Sequence, residues 1–101
     1  MGGKSYYVYI LTSEVHGTLY IGMTSNLVQR IYDHRIGKYE GFTKKYHVNR
    51  LVYYEILEDA SSAVSRERQM KEWQRQWKIN LTNKFNPEWK DLYSDVIRLC
   101  S

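Results

Sequence analysis

The sequence predicts an α+β domain with its elements in the order β-β-α-β-α-α. Three β-branched and aromatic runs, at residues 5–12, 19–22 and 51–57, read as strands. The first two are separated by a short polar stretch, which predicts a hairpin. Between and after the strands, apolar residues recur at helical spacing, around Ile31 and again around Met70. A hairpin followed by a third strand after a helix argues for α+β rather than alternating α/β.

"SYYVYILT" (5–12) places Tyr7, Tyr9 and Leu11 on one face of a strand and Val8 and Ile10 on the other. "SEVHGT" supplies the polar turn, and "LYIG" (19–22) is a short second strand antiparallel to the first. Thr24, Ser25 and Asn26 are alternative N-caps for the first helix, with Gln29 three residues after Asn26 as in a capping box. That helix should end near Ile36, stopped by Gly37. Leu27, Ile31 and His34 form its core-facing stripe, with Arg30 at the edge, four residues before His34.

"GKYEGFTKKYHVNR" is a basic loop, followed by the strand "LVYYEIL" (51–57). A second helix, capped by Asp59, Ser61 or Ser62, carries the stripe Ala63, Met70, Trp73 and Trp77, with Glu67 beside it. Arg68, Lys71, Glu72, Arg75 and Lys78 read as solvated. Asn86-Pro87 ends this helix, and "PEWKDLYSDVIRL" forms the last one, with Pro87 in its first turn.

At 101 residues one domain (1–101) is expected, without a separate targeting domain. No apolar run approaches the roughly 20 residues of a membrane span, and the start has no signal-peptide pattern. The lone Cys100 excludes an intramolecular disulfide and a CxxC zinc site; a cytoplasmic location follows as the expectation. The net charge of +4 suits a polyanionic partner mildly. Ten tyrosines and three tryptophans are the less ordinary feature, since aromatics among basic residues can stack bases as well as fill a core.

Tyr9 and Tyr20 on paired strands, Arg30 and His34 on the first helix and Glu67 on the second are the residues whose chemistry suits a phosphate and a metal. In order and spacing they resemble the GIY-YIG nuclease superfamily. Tyr20-Ile21-Gly22 is an intact YIG, while Tyr7-Val8-Tyr9 is a degenerate GIY that keeps the final tyrosine. "LYIGMTSNLVQRIYDH", "EGFTKKYHVNRLVYYE", "SRERQMKEW" and "NPEWKDL" are similar to the small, stand-alone bacterial members, and the domain is also similar to the N-terminal domain of the excision-repair nuclease.

The resemblance implies a three-stranded antiparallel sheet flanked by helices and a metal-dependent endonuclease acting on DNA. By position, Glu67 would bind one divalent metal, Mg²⁺ or Mn²⁺, and Arg30 would contact the scissile phosphate. Tyr20 or Tyr9 would orient or deprotonate the attacking water, with His34 assisting. Free tyrosine has a pKa near 10, so a tyrosine base needs help from a neighbour; activation of the water by the metal is the alternative. Met23 stands where the excision-repair domain has a lysine. Asn86 is the candidate site asparagine, in competition with Asn80 and Asn83. Lys44, Lys45 and Arg50 are the candidate nucleic-acid contacts, and His16 and His47 are read as incidental. A non-catalytic nucleic-acid-binding module is the alternative function, and a protein-interaction domain a weaker one. Branched or single-stranded DNA is the expected target, with specificity supplied by a homodimer or a partner protein.

Overall fold

A computed structural model of the protein describes residues 5–38 and 46–100. Its elements are β1 (Tyr6–Thr12), β2 (Leu19–Thr24), α1 (Leu27–Arg35), β3 (Arg50–Leu57), α2 (Ala60–Glu72), α3 (Arg75–Phe85) and α4 (Tyr93–Cys100). The strands form one antiparallel sheet in the order β2-β1-β3, as the resemblance implies. Lys44 and Lys45 lie outside the described residues.

The hairpin closes through Ser13 N–H to the Thr18 carbonyl (3.1 Å) and Gly17 N–H to the Glu14 carbonyl (2.9 Å). Strand alternation sends β1 side chains to two different layers. Val8 and Ile10 join Ile21, Tyr53, Ala63, Met70 and Trp89 on the face covered by α2 and α3. Tyr9 and Leu11 join Leu27, Ile31, Val48, Leu51, Leu92 and Val96 on the face covered by α1 and α4.

Asn26 is the N-cap of α1: its Oδ1 accepts from Gln29 N–H at 3.2 Å. The capping box is not reciprocal, because the Gln29 amide donates to Asp33 Oδ1 at 2.8 Å instead. Gly37 follows the helix with φ 73°, the left-handed conformation glycine adopts at least cost. Asp59 caps α2, accepting from Ser62 N–H at 2.7 Å.

Two helix predictions need correction. The helix expected to run through Trp77 ends at Trp73, whose φ of −66° and ψ of 150° are extended, and a new helix starts at Arg75. The start of α3 is anchored by Arg75, which donates to the carbonyls of His16 (2.6 Å) and Gly17 (2.8 Å). Arg75 is therefore a tether rather than an idle charge. The break resets the helical phase, so Trp77 does not join the core stripe and is 54% exposed. At the other end, Pro87 begins no helix. Residues 86–89 form a turn closed by Trp89 N–H on the Asn86 carbonyl (2.9 Å), and α4 starts only at Tyr93.

That turn and the residues after it line the free side of β3. Leu92 N–H donates to the Leu51 carbonyl at 2.8 Å, and Asp91 Oδ1 accepts from Leu51 N–H at 3.3 Å. The β1–β3 register shifts between Ile10 and Leu11, leaving Val52 as an extra residue. Its carbonyl is satisfied by Asn86 Nδ2 at 3.1 Å.

Candidate active site

The site starts from the register of β1 and β2. Tyr9 pairs with Gly22, and Leu11 pairs with Tyr20, so the two tyrosines stand one alternation apart on the same face. Their ring centroids are 6.5 Å apart. A Cβ at Gly22 would meet the Tyr9 hydroxyl and lie 2.6 Å from Tyr9 Cζ and 3.1 Å from Tyr20 Cε2. The glycine of YIG is thus the space in which the Tyr9 ring lies.

α1 lays His34 over both rings. Its centroid is 6.2 Å from that of Tyr9 and 5.6 Å from that of Tyr20, edge-on in each case. Tyr9 Oη and His34 Nε2 are 3.4 Å apart; in the Nε2–H tautomer the ring donates to the hydroxyl, and Nδ1 is the unprotonated nitrogen. Tyr9 is fully buried, His34 nearly so, and Tyr20 is only half-buried. Burial holds the imidazole pKa below its ordinary 6.5, the positive charge of Arg30 lowers it further, and Asp33 opposes them. His34 is therefore neutral at pH 7 and has a ring nitrogen able to accept a proton. Arg30, half-buried beside it, is the positive charge of the cluster.

Glu67 comes from α2, over the other face of the sheet, where the helix packs along β2 and β1. Its carboxylate, one-fifth exposed, pairs with Lys71 Nζ at 3.4 Å. Among the described residues no three His, Cys, Asp or Glu side chains converge on a point that could hold a metal. A lone carboxylate does not suit Zn²⁺, which takes several protein ligands. It does suit Mg²⁺, which keeps waters and binds through one or two carboxylates plus substrate phosphate. The donor set fits the metal that the resemblance implies, provided Lys71 swings aside.

The structure thus brings Tyr9, Tyr20 and His34 into ring contact with Arg30 close by, and sets Glu67 on a separate helix. Asn86 has other work: its amide donates to the Val52 carbonyl (3.1 Å) and the Lys90 carbonyl (2.8 Å), and its oxygen accepts from Lys90 N–H (3.3 Å). It ties the 86–89 turn to the bulge in β3. Arg50 donates to the Trp89 carbonyl at 3.0 Å and secures the same turn. His16, read as incidental, packs edge-on against Trp89 at 4.7 Å. Sequence reasoning missed Asp33, buried next to His34, which holds Gln29 at 2.8 Å and Lys38 at 3.6 Å. Its signal was the four-residue spacing from Gln29, a pair that can hydrogen-bond along a helix.

The small antiparallel sheet carries two tyrosines on neighbouring strands, facing an Arg–His helix, and the family match to this chain indicates a nuclease-type domain. The chain belongs to the GIY-YIG family: the family profile described as GIY-YIG catalytic domain matches residues 5–80. It is similar to small bacterial UPF0213 proteins. That of Syntrophus aciditrophicus is 40% identical over 83 residues, covering 81% of this chain and 93% of the relative. That of Staphylococcus haemolyticus is 37% identical over 76 residues, covering 75% and 92%. The solution structure of the UPF0213 protein from Bacillus halodurans superposes with a TM-score of 0.55 at 28% identity, covering 86% of this chain and 92% of that one. Among the described residues no helix is long and apolar enough to cross a membrane.

Proposed function

We propose that the protein is a metal-dependent endonuclease that hydrolyses phosphodiester bonds in DNA. The observation that carries this reading is the contact of Tyr9 and Tyr20 with a buried, neutral His34 beside Arg30. A water attacks phosphorus, the bond to the leaving oxygen breaks, and the water's proton needs an acceptor. Tyr20, the half-exposed tyrosine, is placed to orient that water, and His34 is the neutral base that touches both tyrosines. Tyr9 has no exposed surface, so it acts as a positioning residue that fixes the imidazole. Arg30 offsets charge that builds on the phosphate in the transition state. Glu67 would hold a Mg²⁺ or Mn²⁺ ion, whose chemistry is to neutralise phosphate charge and act as a Lewis acid.

The test is nicking of supercoiled plasmid with Mg²⁺, Mn²⁺ or EDTA, comparing the wild type with Glu67→Gln purified identically. Metal-dependent nicking by the wild type should fall at least about a hundredfold in the variant, the scale on which loss of one electrostatic stabiliser acts. Equal activity in both proteins would remove Glu67 from the site. A wild type that binds DNA but cuts none under any of these conditions would make the chain a binding module.

A further inference from the structure

The exposed aromatic ridge of α3 has no part in the site described above. Trp77, Leu81 and Phe85 follow one another at four-residue steps along α3, about 6 Å each, and Trp73, the extended residue that ends α2, lies at the start of the ridge. Trp73 and Trp77 meet edge-on at 6.1 Å across the α2–α3 break. Trp77 is 54% and Phe85 46% exposed, while Trp73 and Leu81 are half-buried and anchor the ridge to the core. Beside its far end, a cavity of about 310 Å³ is lined by Tyr53, Leu81, Lys84 and Phe85. The Phe85 ring stands edge-on to Tyr53 at 4.9 Å, so the cavity has aromatic walls and an ammonium at its rim.

The charge carried by α3 itself has one sign. α3, "RQWKINLTNKF", contains one arginine, two lysines and no carboxylate. Arg75 is spent on the hairpin carbonyls and Lys78 donates to the Lys71 carbonyl at 3.4 Å, while Lys84 is exposed. Gln76 and Asn80, bonded at 2.9 Å, add amides along the same helix. Flat aromatic faces edged by cations and amides complement a ligand with planar rings on an anionic backbone. Stacking on exposed rings requires unpaired bases, whose faces a duplex keeps covered.

We propose that the Trp73–Trp77–Leu81–Phe85 ridge, with Lys84 at its edge, is a stacking platform for single-stranded DNA. The ridge engages bases through Trp77 and Phe85 and a phosphate through Lys84. A chain that reads an unpaired strand in this way has a preference for DNA structure built into its catalytic domain. The inference rests on the nuclease reading for its purpose, but not for the binding it describes.

The experiment is fluorescence anisotropy with a labelled twelve-nucleotide oligothymidylate and with a hairpin duplex, both in EDTA so that no cleavage enters, together with indole quenching. The single strand should bind more tightly than the duplex and quench tryptophan emission. Trp77→Ala should weaken single-strand binding about tenfold, the scale of losing one stacked base, and Trp77→Phe should recover most of it. Because Trp77 is exposed, circular dichroism of both variants should match the wild type. Unchanged affinity in Trp77→Ala overturns the platform, as does an equal preference for duplex. A variant that changes only the sedimentation of the protein assigns the ridge to a second copy of the chain and also overturns it. If oligothymidylate binds through Trp77 but plasmid is never nicked, the platform stands and the nuclease reading fails. Nicking with no role for Trp77 gives the reverse.

Discussion

The two faces of the sheet share β1 but differ in chemistry. On the α2–α3 side its contribution is Val8 and Ile10, packed with Ile21, Ala63 and Met70 in an apolar layer. On the α1–α4 side it contributes Tyr9, whose hydroxyl lies within hydrogen-bond reach of His34, with Asp33 buried in the next position on α1. Both layers are buried, so burial does not separate packing from site. The difference is whether the buried atoms are polar and what each one faces. Alternation along a single strand sends Val8 and Ile10 to an apolar layer on one side and Tyr9 to the tyrosine–histidine cluster on the other, while Glu67 reaches the site from the helix over the apolar layer.

This contrast predicts opposite behaviour for substitutions on the two sides. Met70→Ala on the apolar side should cost about 2–5 kcal/mol of stability. In denaturant titrations the midpoint should fall, while nicking per folded molecule stays at the wild-type rate. A specific loss of nicking there would mean that the apolar layer also shapes the site. Gly22→Ala, on the other side, forces a methyl onto the Tyr9 ring and should cost about 1–3 kcal/mol as an overpacked position. Here nicking by the folded fraction should drop as well, because Tyr9 no longer fixes His34. Destabilisation with an unchanged rate would reduce YIG to packing.

The smallest effect sharpens the comparison through pH. His34 has a depressed pKa in the folded protein, so the unfolded chain takes up its proton first as pH falls. The stability that comes from keeping this imidazole neutral is fully present above its ordinary 6.5 and is lost as pH drops from there toward the folded value. His34→Gln should flatten the stability profile in that window. Nicking by the folded wild type should fall at the lower end of that window, as pH passes through the depressed folded value and the base becomes protonated. An identical slope in wild type and variant would place the titration elsewhere.

Much of the site was legible because it is local. The face shared by Tyr7, Tyr9 and Leu11, the stripe of Leu27, Ile31 and His34, and the stop at Gly37 each follow from a period or a cap within a few residues. Less legible was the division of labour between the tyrosines, which depends on the depth of each ring beneath α1. The structural ties of Asn86 were not legible for a related reason. Its partners Val52 and Lys90 come from a strand bulge and a turn, and neither has a sequence signal strong enough to announce it.

By itself, the sequence determined the element types, the two faces of β1 and the family, since these rest on alternation, helical spacing and the YIG motif. Only the tertiary structure decided where α2 ends. The stretch Glu72-Trp73-Gln74-Arg75 holds no glycine or proline, and the break sits where Trp73 packs on the core and Arg75 grips the hairpin. Contacts between residues 58 and 59 positions apart set that phase, and no local pattern encodes them. The same break turned Trp77 from an expected core residue into the centre of an exposed ridge.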